Sequence, residues 1–332
     1  MKALAMPFQV GWDIVHRCNY RCKHCYFSAE QLADKTMATK NEAIDFVRYL
    51  ASKKVFHLSL AGGEPLLYPH IVDVVREATA GGISVAMSTN ASRLTDAMAN
   101  SLRKAGLKSI QVSLDGCTEA TNDAIRGAGC FAQSVRGLDT GIRHGFQIVL
   151  AIVLLQKNKH EIHDYFEYAA KKQIRGIKVQ TFIDSGLGHD NLGSLEIPEA
   201  ELRELIIKLW QHKRRFAKNL EIMLPLVPEV LEQAKTEPEY FNRDTTCLGC
   251  QPGLSTIRVN SYGDVRACGS FVNAAPIGNV FATPLQRIWR ESRELVRWRN
   301  ESLVDTGKST NTCGAICGKG CRAASAPAFS RH

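Results

Sequence analysis

The chain has 332 residues, 45% hydrophobic and 23% charged, with a formal net charge of +9. This is ordinary globular composition, long enough for one large domain or two moderate ones. No apolar run is long enough to span a membrane, residues 148–155 suit a buried strand, and the N-terminus makes a poor signal peptide, so the cytoplasm is the expected compartment. The basic balance favours an acidic substrate or partner. The basic residues are spread out, however, and runs such as Lys213-Arg214-Arg215 read as solvated helix faces. No aromatic residues interleave with them in a recognition motif, so nucleic acid is not expected.

In chain order, strands are predicted over residues 10–15, 55–60, 83–87, 109–114, 146–153 and 176–180. They are rich in Val, Ile and Leu, as in parallel strands buried on both faces. Helices lie between them. Thr39 with Glu42 forms a capping box before 43–50. Pro69 opens a helix that Gly81-Gly82 ends, and Thr95 caps one that stops at Gly106. Another runs over 131–144 to Gly145, and Asn158 with Glu161 starts the next, where Tyr165, Phe166 and Tyr168 read as packing residues. This alternation predicts an α/β fold with a parallel sheet, either a partial barrel or a doubly wound sheet. A long helix follows Pro198 over 199–218, then a linker with Pro225, Pro228 and Pro238. Composition changes near residue 244, placing one unit at 1–235 and a second, cysteine-rich α+β unit at 245–332. In the second unit, strands 256–259 and 264–267 flank Ser261-Tyr262-Gly263 as a hairpin.

The eleven cysteines carry the chemistry. An odd count, no signal peptide and ample length argue against a disulfide framework, and tight groups in a reducing compartment point to metal. Cys18, Cys22 and Cys25 follow the first strand, at the end of the strand where α/β folds collect their chemistry. Three thiolates leave one position of a metal cluster open, which marks a reactive site. The alternative is structural zinc, with His24 or His16 as fourth ligand. The second group comprises Cys247, Cys250, Cys268, Cys313, Cys317 and Cys321. The hairpin would bring Cys250 and Cys268 together, and here too zinc is the alternative. Cys117 and Cys130 stand alone on the active-site side of the fourth strand. Each reads as a small buried residue, with Cys117 a candidate hydrogen donor.

The CxxxCxxC loop, with His24 before its last cysteine, resembles the signature of the radical S-adenosylmethionine superfamily. Gly62-Gly63-Glu64-Pro65 resembles that family's GGEP motif, and Ser88-Thr89-Asn90, Ser113-Leu114-Asp115-Gly116 and Arg126-Gly127 follow on successive elements. The resemblance covers essentially residues 8–332. It implies a partial (β/α)6 TIM-like barrel followed by the small auxiliary-cluster domain, with a 4Fe–4S cluster on Cys18, Cys22 and Cys25 that binds S-adenosylmethionine at its open iron. Gly62 and Gly63 would let the backbone approach that ligand, and Glu64 would accept from its amino group. His24 would lie beside the adenine. Ser113 and Arg126 are candidates for the ribose and carboxylate, and Asn90 is another, although Asn90 also fits a simple turn.

Cys247 or Cys250 with Gly263 and Cys268 fits the CX9–15GX4C opening of SPASM and twitch domains. One auxiliary 4Fe–4S cluster on Cys247, Cys250, Cys268 and Cys321 is the preferred set, with Cys313 and Cys317 in a second, incompletely ligated cluster or as replacements. Gly269 stands where sulfatase-maturing relatives place a catalytic carboxylate, so that activity is not carried over. The implied reaction is reductive cleavage of S-adenosylmethionine to a 5'-deoxyadenosyl radical that abstracts a substrate hydrogen atom. Peptide modification is favoured, although the first strand begins so early that no preceding peptide-recognition domain is expected. The CGKGCRAA ending keeps a tetrapyrrole side-chain decarboxylase, or another small-molecule or carbohydrate enzyme, as the alternative. A flavodoxin or ferredoxin would supply electrons. The competing class is a zinc-binding interaction protein.

Overall fold

The computed structural model describes residues 4–27, 37–216, 220–225, 230, 251–269 and 275–301. Its centre is a sheet in the order β10-β9-β8-β1-β2-β3-β4-β5-β6-β7. Six parallel strands run in sequence order: β1 (Gln9–Val15), β2 (His57–Gly62), β3 (Ser84–Thr89), β4 (Ser109–Ser113), β5 (Gln147–Leu154) and β6 (Gly176–Thr181). Between them lie α1 (Lys40–Ser52), α2 (Ile71–Ala80), α3 (Asp96–Lys104), α4 (Glu119–Arg126), α5 (Cys130–Arg143) and α6 (Ile162–Lys171). This is the expected partial barrel. Short helices α7 (Leu187–Asp190) and α8 (Leu192–Leu195) precede α9 (Glu199–Phe216).

Strands β2, β3 and β4 alternate along most of their length between buried and more exposed residues. Leu58, Leu60, Val85, Met87, Ile110, Val112, Ile177 and Val179 join the main apolar core. Ser59, Ser88, Gln111, Ser113, Lys178 and Gln180 occupy the alternate, half-exposed positions. The expectation of strands buried on both faces holds for β1 and is corrected for β2, β3, β4 and β6, where one face packs into the apolar core and the other lines a concavity.

The predicted caps of α1 and α3 form. Thr39 and Glu42 make the reciprocal capping box, and Thr95 Oγ1 accepts from Met98 N. Asn158 and Glu161 do not cap α6. Asn158 donates to the carbonyls of Asp115 and Val153 and accepts from Leu155 N, while Glu161 accepts from Cys117 N and from the Thr118 and Thr121 hydroxyls. Both tie the loop after β4 to the end of β5. Helix α4 was not anticipated, although Thr118 caps it on Thr121 N. Lys213 is buried, its ammonium 4.6 Å from the Trp210 ring centroid, so that basic run is not wholly solvated.

The sheet extends at both sides. β7 (Glu221–Met223) adds parallel to β6. At the other side β8 (Thr256–Val259) pairs parallel with β1, and the predicted hairpin to β9 (Asp264–Arg266) forms, with β10 (Gly278–Asn279) beyond it. Helices α10 (Leu285–Glu291) and α11 (Arg293–Glu301) follow, with Trp289 fully buried. Arg258 on β8 donates from Nε and Nη2 to Asp13 on β1, at 2.9 and 2.5 Å. Gly11 makes room for this: a Cβ there would lie 2.7 Å from Arg258 Nη1.

Candidate active site

The site forms where the ends of β1 to β4 meet the first cysteine loop. Gly63 N donates to Val15 O at 2.7 Å, and Glu64 N to Arg17 O at 2.8 Å. A Cβ on Gly62, whose φ is +121°, would sit 2.2 Å from Val15 O, and one on Gly63 would sit 2.1 Å from Arg17 O. These glycines permit a close approach to Val15 at the end of β1 and to Arg17 at the start of the cysteine loop. The contact fixes Glu64 relative to the loop bearing Cys18.

Glu64 is buried. Its Oε1 accepts from the Thr89 hydroxyl at 2.6 Å and Leu66 N at 3.1 Å, and its Oε2 accepts from Asn90 N at 2.7 Å. Burial raises its pKa, and the three donors oppose the rise. A carboxylate offers about four acceptor positions, so one on Oε2 stays open. Asn90 Oδ1 accepts from Ser92 N and the Ser92 hydroxyl, which is the turn reading. Its Nδ2 donates to Asn19 Oδ1 at 3.1 Å and lies 4.0 Å from Cys18 Sγ, so the same residue also braces the cysteine loop.

Cys18, Cys22 and Cys25 are half-buried. Tyr20 N donates to Cys18 Sγ at 3.4 Å, and Arg126 Nη1 approaches Cys22 Sγ at 3.8 Å. Burial pushes Cys18 up to about 11 and Cys22 up to about 12, with the neighbouring cysteines adding and Arg126 opposing. A metal would have to displace these protons. Among the described residues no three His, Cys, Asp or Glu side chains are gathered tightly enough for a single metal ion. Cys25 raises the pKa of both Cys18 and Cys22, so the three thiols stand close enough to act on one another. The loop is anchored from outside by Lys23 N to Ile125 O at 2.9 Å, and by the Tyr20 hydroxyl to Cys130 O at 3.2 Å. The loop after β6 braces this one: Gly188 N donates to Cys25 O at 3.3 Å.

Behind the loop lies a residue that sequence reasoning left without a role. Asp115 is fully buried, with Arg126 Nη2 at 2.7 Å and His24 Nε2 at 3.2 Å from its Oδ2. Val153 N donates to its Oδ1 at 2.8 Å. The signal was a carboxylate directly after an apolar strand, in Ser113-Leu114-Asp115. Burial works against the charge on Arg126, but the carboxylate more than offsets it and holds the guanidinium protonated. Burial lowers the His24 pKa, with Asp115 opposing. His24 Nδ1 and Arg126 Nε are buried with no hydrogen-bond partner among the described residues. Both nitrogens are available to a ligand beside the cysteines. Ser113 ends β4, half-buried on the concave face.

The lone thiols are held locally. Cys117 Sγ donates to Glu161 at 3.5 Å, and its pKa is pushed up to about 12 by burial and that carboxylate. Cys130 Sγ donates to Arg126 O at 3.3 Å. Cys268 follows β9. Burial pushes Tyr26 up to about 12, with Arg258 opposing and Asp13, Cys25 and Cys268 adding, so the two cysteine groups approach the same tyrosine. A small cleft there is lined by Asp13, Phe27, Arg258, Asp264, Arg266 and Gly269. Cys247, Cys250, Cys313, Cys317 and Cys321 lie outside the described residues.

Residues 12–169 match the family model described as the radical SAM superfamily, and residues 247–321 match that of an iron–sulfur cluster-binding domain, SPASM. The chain is 27% identical to an AdoMet-dependent heme synthase of Methanosarcina barkeri, over 96% of this chain and 91% of that protein. It is also 27% identical to the mycofactocin maturase MftC of Mycobacterium tuberculosis, over 97% and 80% respectively. In fold it resembles Streptococcus suis SuiB, crystallised bound to precursor peptide SuiA, with a TM-score of 0.75 and 16% identity over 99% of this chain and 75% of that one.

Proposed function

The chain belongs to the radical S-adenosylmethionine superfamily and carries a SPASM-type iron–sulfur domain. From that premise we propose that it removes a hydrogen atom from a ribosomally made peptide. Cys18, Cys22 and Cys25 would hold the first 4Fe–4S cluster, and Cys268 would be one ligand of an auxiliary cluster. When bound, the cluster and S-adenosylmethionine together supply one-electron cleavage of a carbon–sulfur bond, giving the 5'-deoxyadenosyl radical that attacks the substrate. The chain's own residues position and shield. The open acceptor on Glu64 would meet a ligand ammonium and Ser113 a ribose hydroxyl, while His24 Nδ1 and the Arg126 Nε donor are buried positions still to be used. Asp115 keeps Arg126 charged and orients His24.

The observation that carries this reading is the cysteine loop itself. Its sulfurs lie beside an N–H donor and a guanidinium, and adjoin two buried nitrogens with no partner among the described residues. The peptide substrate is supported by the maturase relative and by the fold shared with SuiB. The heme synthase relative, at the same identity, supports a second reading in which a tetrapyrrole side chain is the substrate. An external electron donor, a flavodoxin or ferredoxin, completes the proposal.

The test is anaerobic purification with iron and zinc counted, then dithionite and S-adenosylmethionine with 5'-deoxyadenosine measured. Brown protein holding about eight irons per chain is expected for two clusters. Colourless zinc protein that forms no 5'-deoxyadenosine would overturn the enzyme reading. Incubation with any short peptide encoded beside the gene, against a propionate-bearing porphyrin, separates the two substrates.

A further inference from the structure

The cysteine loop has two faces. From Arg17 to His24 exposure alternates: Arg17, Asn19, Arg21 and Lys23 are exposed, while Cys18, Tyr20, Cys22 and His24 are half-buried. The thiols lie on the inner side and the cations on the outer. Hydrogen bonds hold the loop in this orientation. The Tyr20 hydroxyl reaches inward to Cys130 O and Ser134 Oγ, each at 3.2 Å. Asn19 Nδ2 donates to Ser92 Oγ at 2.9 Å, which brings the exposed Arg93 beside the loop. Lys23 Nζ donates to Ala124 O at 2.8 Å, a carbonyl and not a carboxylate.

Among the described residues no carboxylate forms an ion pair with Arg17, Lys23 or Arg93. The exposed arginines of α1 and α2 differ: Arg48 meets Glu77 and Arg76 meets Asp73, both at 2.7 Å. Asp123, one residue before Ala124, accepts from Gly129 N and Phe131 N. The exposed Asp190 bounds the patch on the α7 side, where Asn191 Nδ2 donates to Lys23 O. Like charges gathered without counter-charges repel one another and create a field that draws a negative surface toward them. Their place decides which surface that is. Cys18 follows Arg17, and Cys22 lies between Arg21 and Lys23, so a cluster on these sulfurs is one loop's thickness from the patch. The concave side is where S-adenosylmethionine and substrate would sit. An electron carrier therefore has to approach from outside, across this loop.

We propose that Arg17, Lys23 and Arg93, with Arg21 among them, form the docking surface for the electron donor, and that this donor is an acidic one-electron carrier protein. The inference rests on the radical S-adenosylmethionine reading and names the surface and the charge of the partner that reading requires. At this surface the reduced carrier loses one electron, the cluster on Cys18, Cys22 and Cys25 gains it, and no proton moves. The encounter is of the weak, electrostatically steered kind that redox partners use, so it is sensitive to salt.

The probe is an acidic plant-type 2Fe–2S ferredoxin, reduced beforehand, freed of reductant and mixed anaerobically with the cluster-loaded enzyme. Formation of 5'-deoxyadenosine is timed, with dithionite as the donor in a parallel series. Raising NaCl from about 50 to about 300 mM should slow the ferredoxin-driven reaction about fivefold or more and the dithionite-driven one less than about twofold. The double variant Arg17→Glu/Lys23→Glu should raise the ferredoxin concentration giving half the maximal rate at least about tenfold, with iron content, saturated rate and dithionite-driven rate unchanged. Lys104→Glu/Lys108→Glu makes the same change of charge on exposed lysines before β4, at the opposite end of the barrel, and should alter that concentration less than about twofold. Arg17→Gln/Lys23→Gln carries the test if the reversal does not fold, with an expected rise of about threefold. Apart from activity, carbodiimide coupling of the mixed proteins, read by mass spectrometry, should join Lys23 to ferredoxin carboxylates. Coupling through other lysines with none through Lys23, a ferredoxin response unchanged in the loop variants, or an equal fall with dithionite each overturns the proposal. The last would mean that these cations serve the cluster and not a partner. A parent enzyme that forms no 5'-deoxyadenosine with dithionite would instead defeat the superfamily reading, so the two failures are distinguishable.

Discussion

Replacing Asp115 by Asn tests the charge arrangement behind the cysteine loop. Asn keeps the shape and an acceptor for Val153 N, and removes only the charge. The Asp115 side chain is 0% exposed and that of Arg126 8%, so solvent cannot take over the abandoned guanidinium. Breaking a buried pair by removing one partner costs about 3–5 kcal/mol. For a chain of this size that corresponds to a melting temperature lower by roughly 5–10 °C. The surface pair Arg48–Glu77 has the same 2.7 Å separation, but its side chains are 62% and 33% exposed, so Glu77→Gln should hardly shift the melting temperature. The assay is urea unfolding of iron-depleted protein followed by tryptophan fluorescence, with Arg126→Met and the double variant completing a cycle. The double variant leaves no charge at either position and should recover much of the loss, giving a coupling above about 2 kcal/mol. Additive single effects, or an Asp115→Asn loss below about 1 kcal/mol, would refute the buried pairing.

Cys22→Ala should lower iron content by about four per chain and bring 5'-deoxyadenosine formation to background, and unchanged yield from the reconstituted variant would remove this loop from the mechanism. Gly63→Ala forces a methyl against Arg17 O and should cost about 1–3 kcal/mol and impair iron uptake, read by melting and by absorbance after reconstitution. Cys18 and Cys22 are raised to about 11 and about 12 in the folded, iron-free chain. An unfolded thiol releases its proton near about 8.5. Between these values the unfolded state holds fewer protons, so the stability of the iron-free protein should fall as pH rises from about 9 to about 12, and melting at pH 8 and pH 10 reads the slope.

The six-strand core was legible because Val- and Ile-rich runs alternate with capped helices, and the caps at Thr39 and Thr95 are local chemistry that a sequence displays directly. The cysteine loop was legible for the same reason. Asn158 and Glu161 were misread as a cap because their side chains are used by backbone and hydroxyl groups brought near only in the folded chain. Asp115 escaped notice for a related reason: His24 lies far from it in sequence, Arg126 stands at the far end of α4, and both converge on it through the fold. The purpose of Gly62 and Gly63 was legible in kind, a close approach, but not that Val15 and Arg17 of the chain itself come so near, since no local pattern announces it. The pairing of β8 with β1 left no local trace, because it joins two short apolar strands from distant parts of the chain.

That pairing has a consequence for synthesis. Residue 9 finds its partner at residue 256, so β1 leaves the ribosome long before the strand that will cover its outer side. Until then its N–H and C=O groups form an open margin beside a hydrophobic face, the arrangement on which chains join one another wrongly. A fragment cut at residue 235 would keep that margin permanently bare, and the nascent protein would need either a holding chaperone or low local concentration to reach its native form.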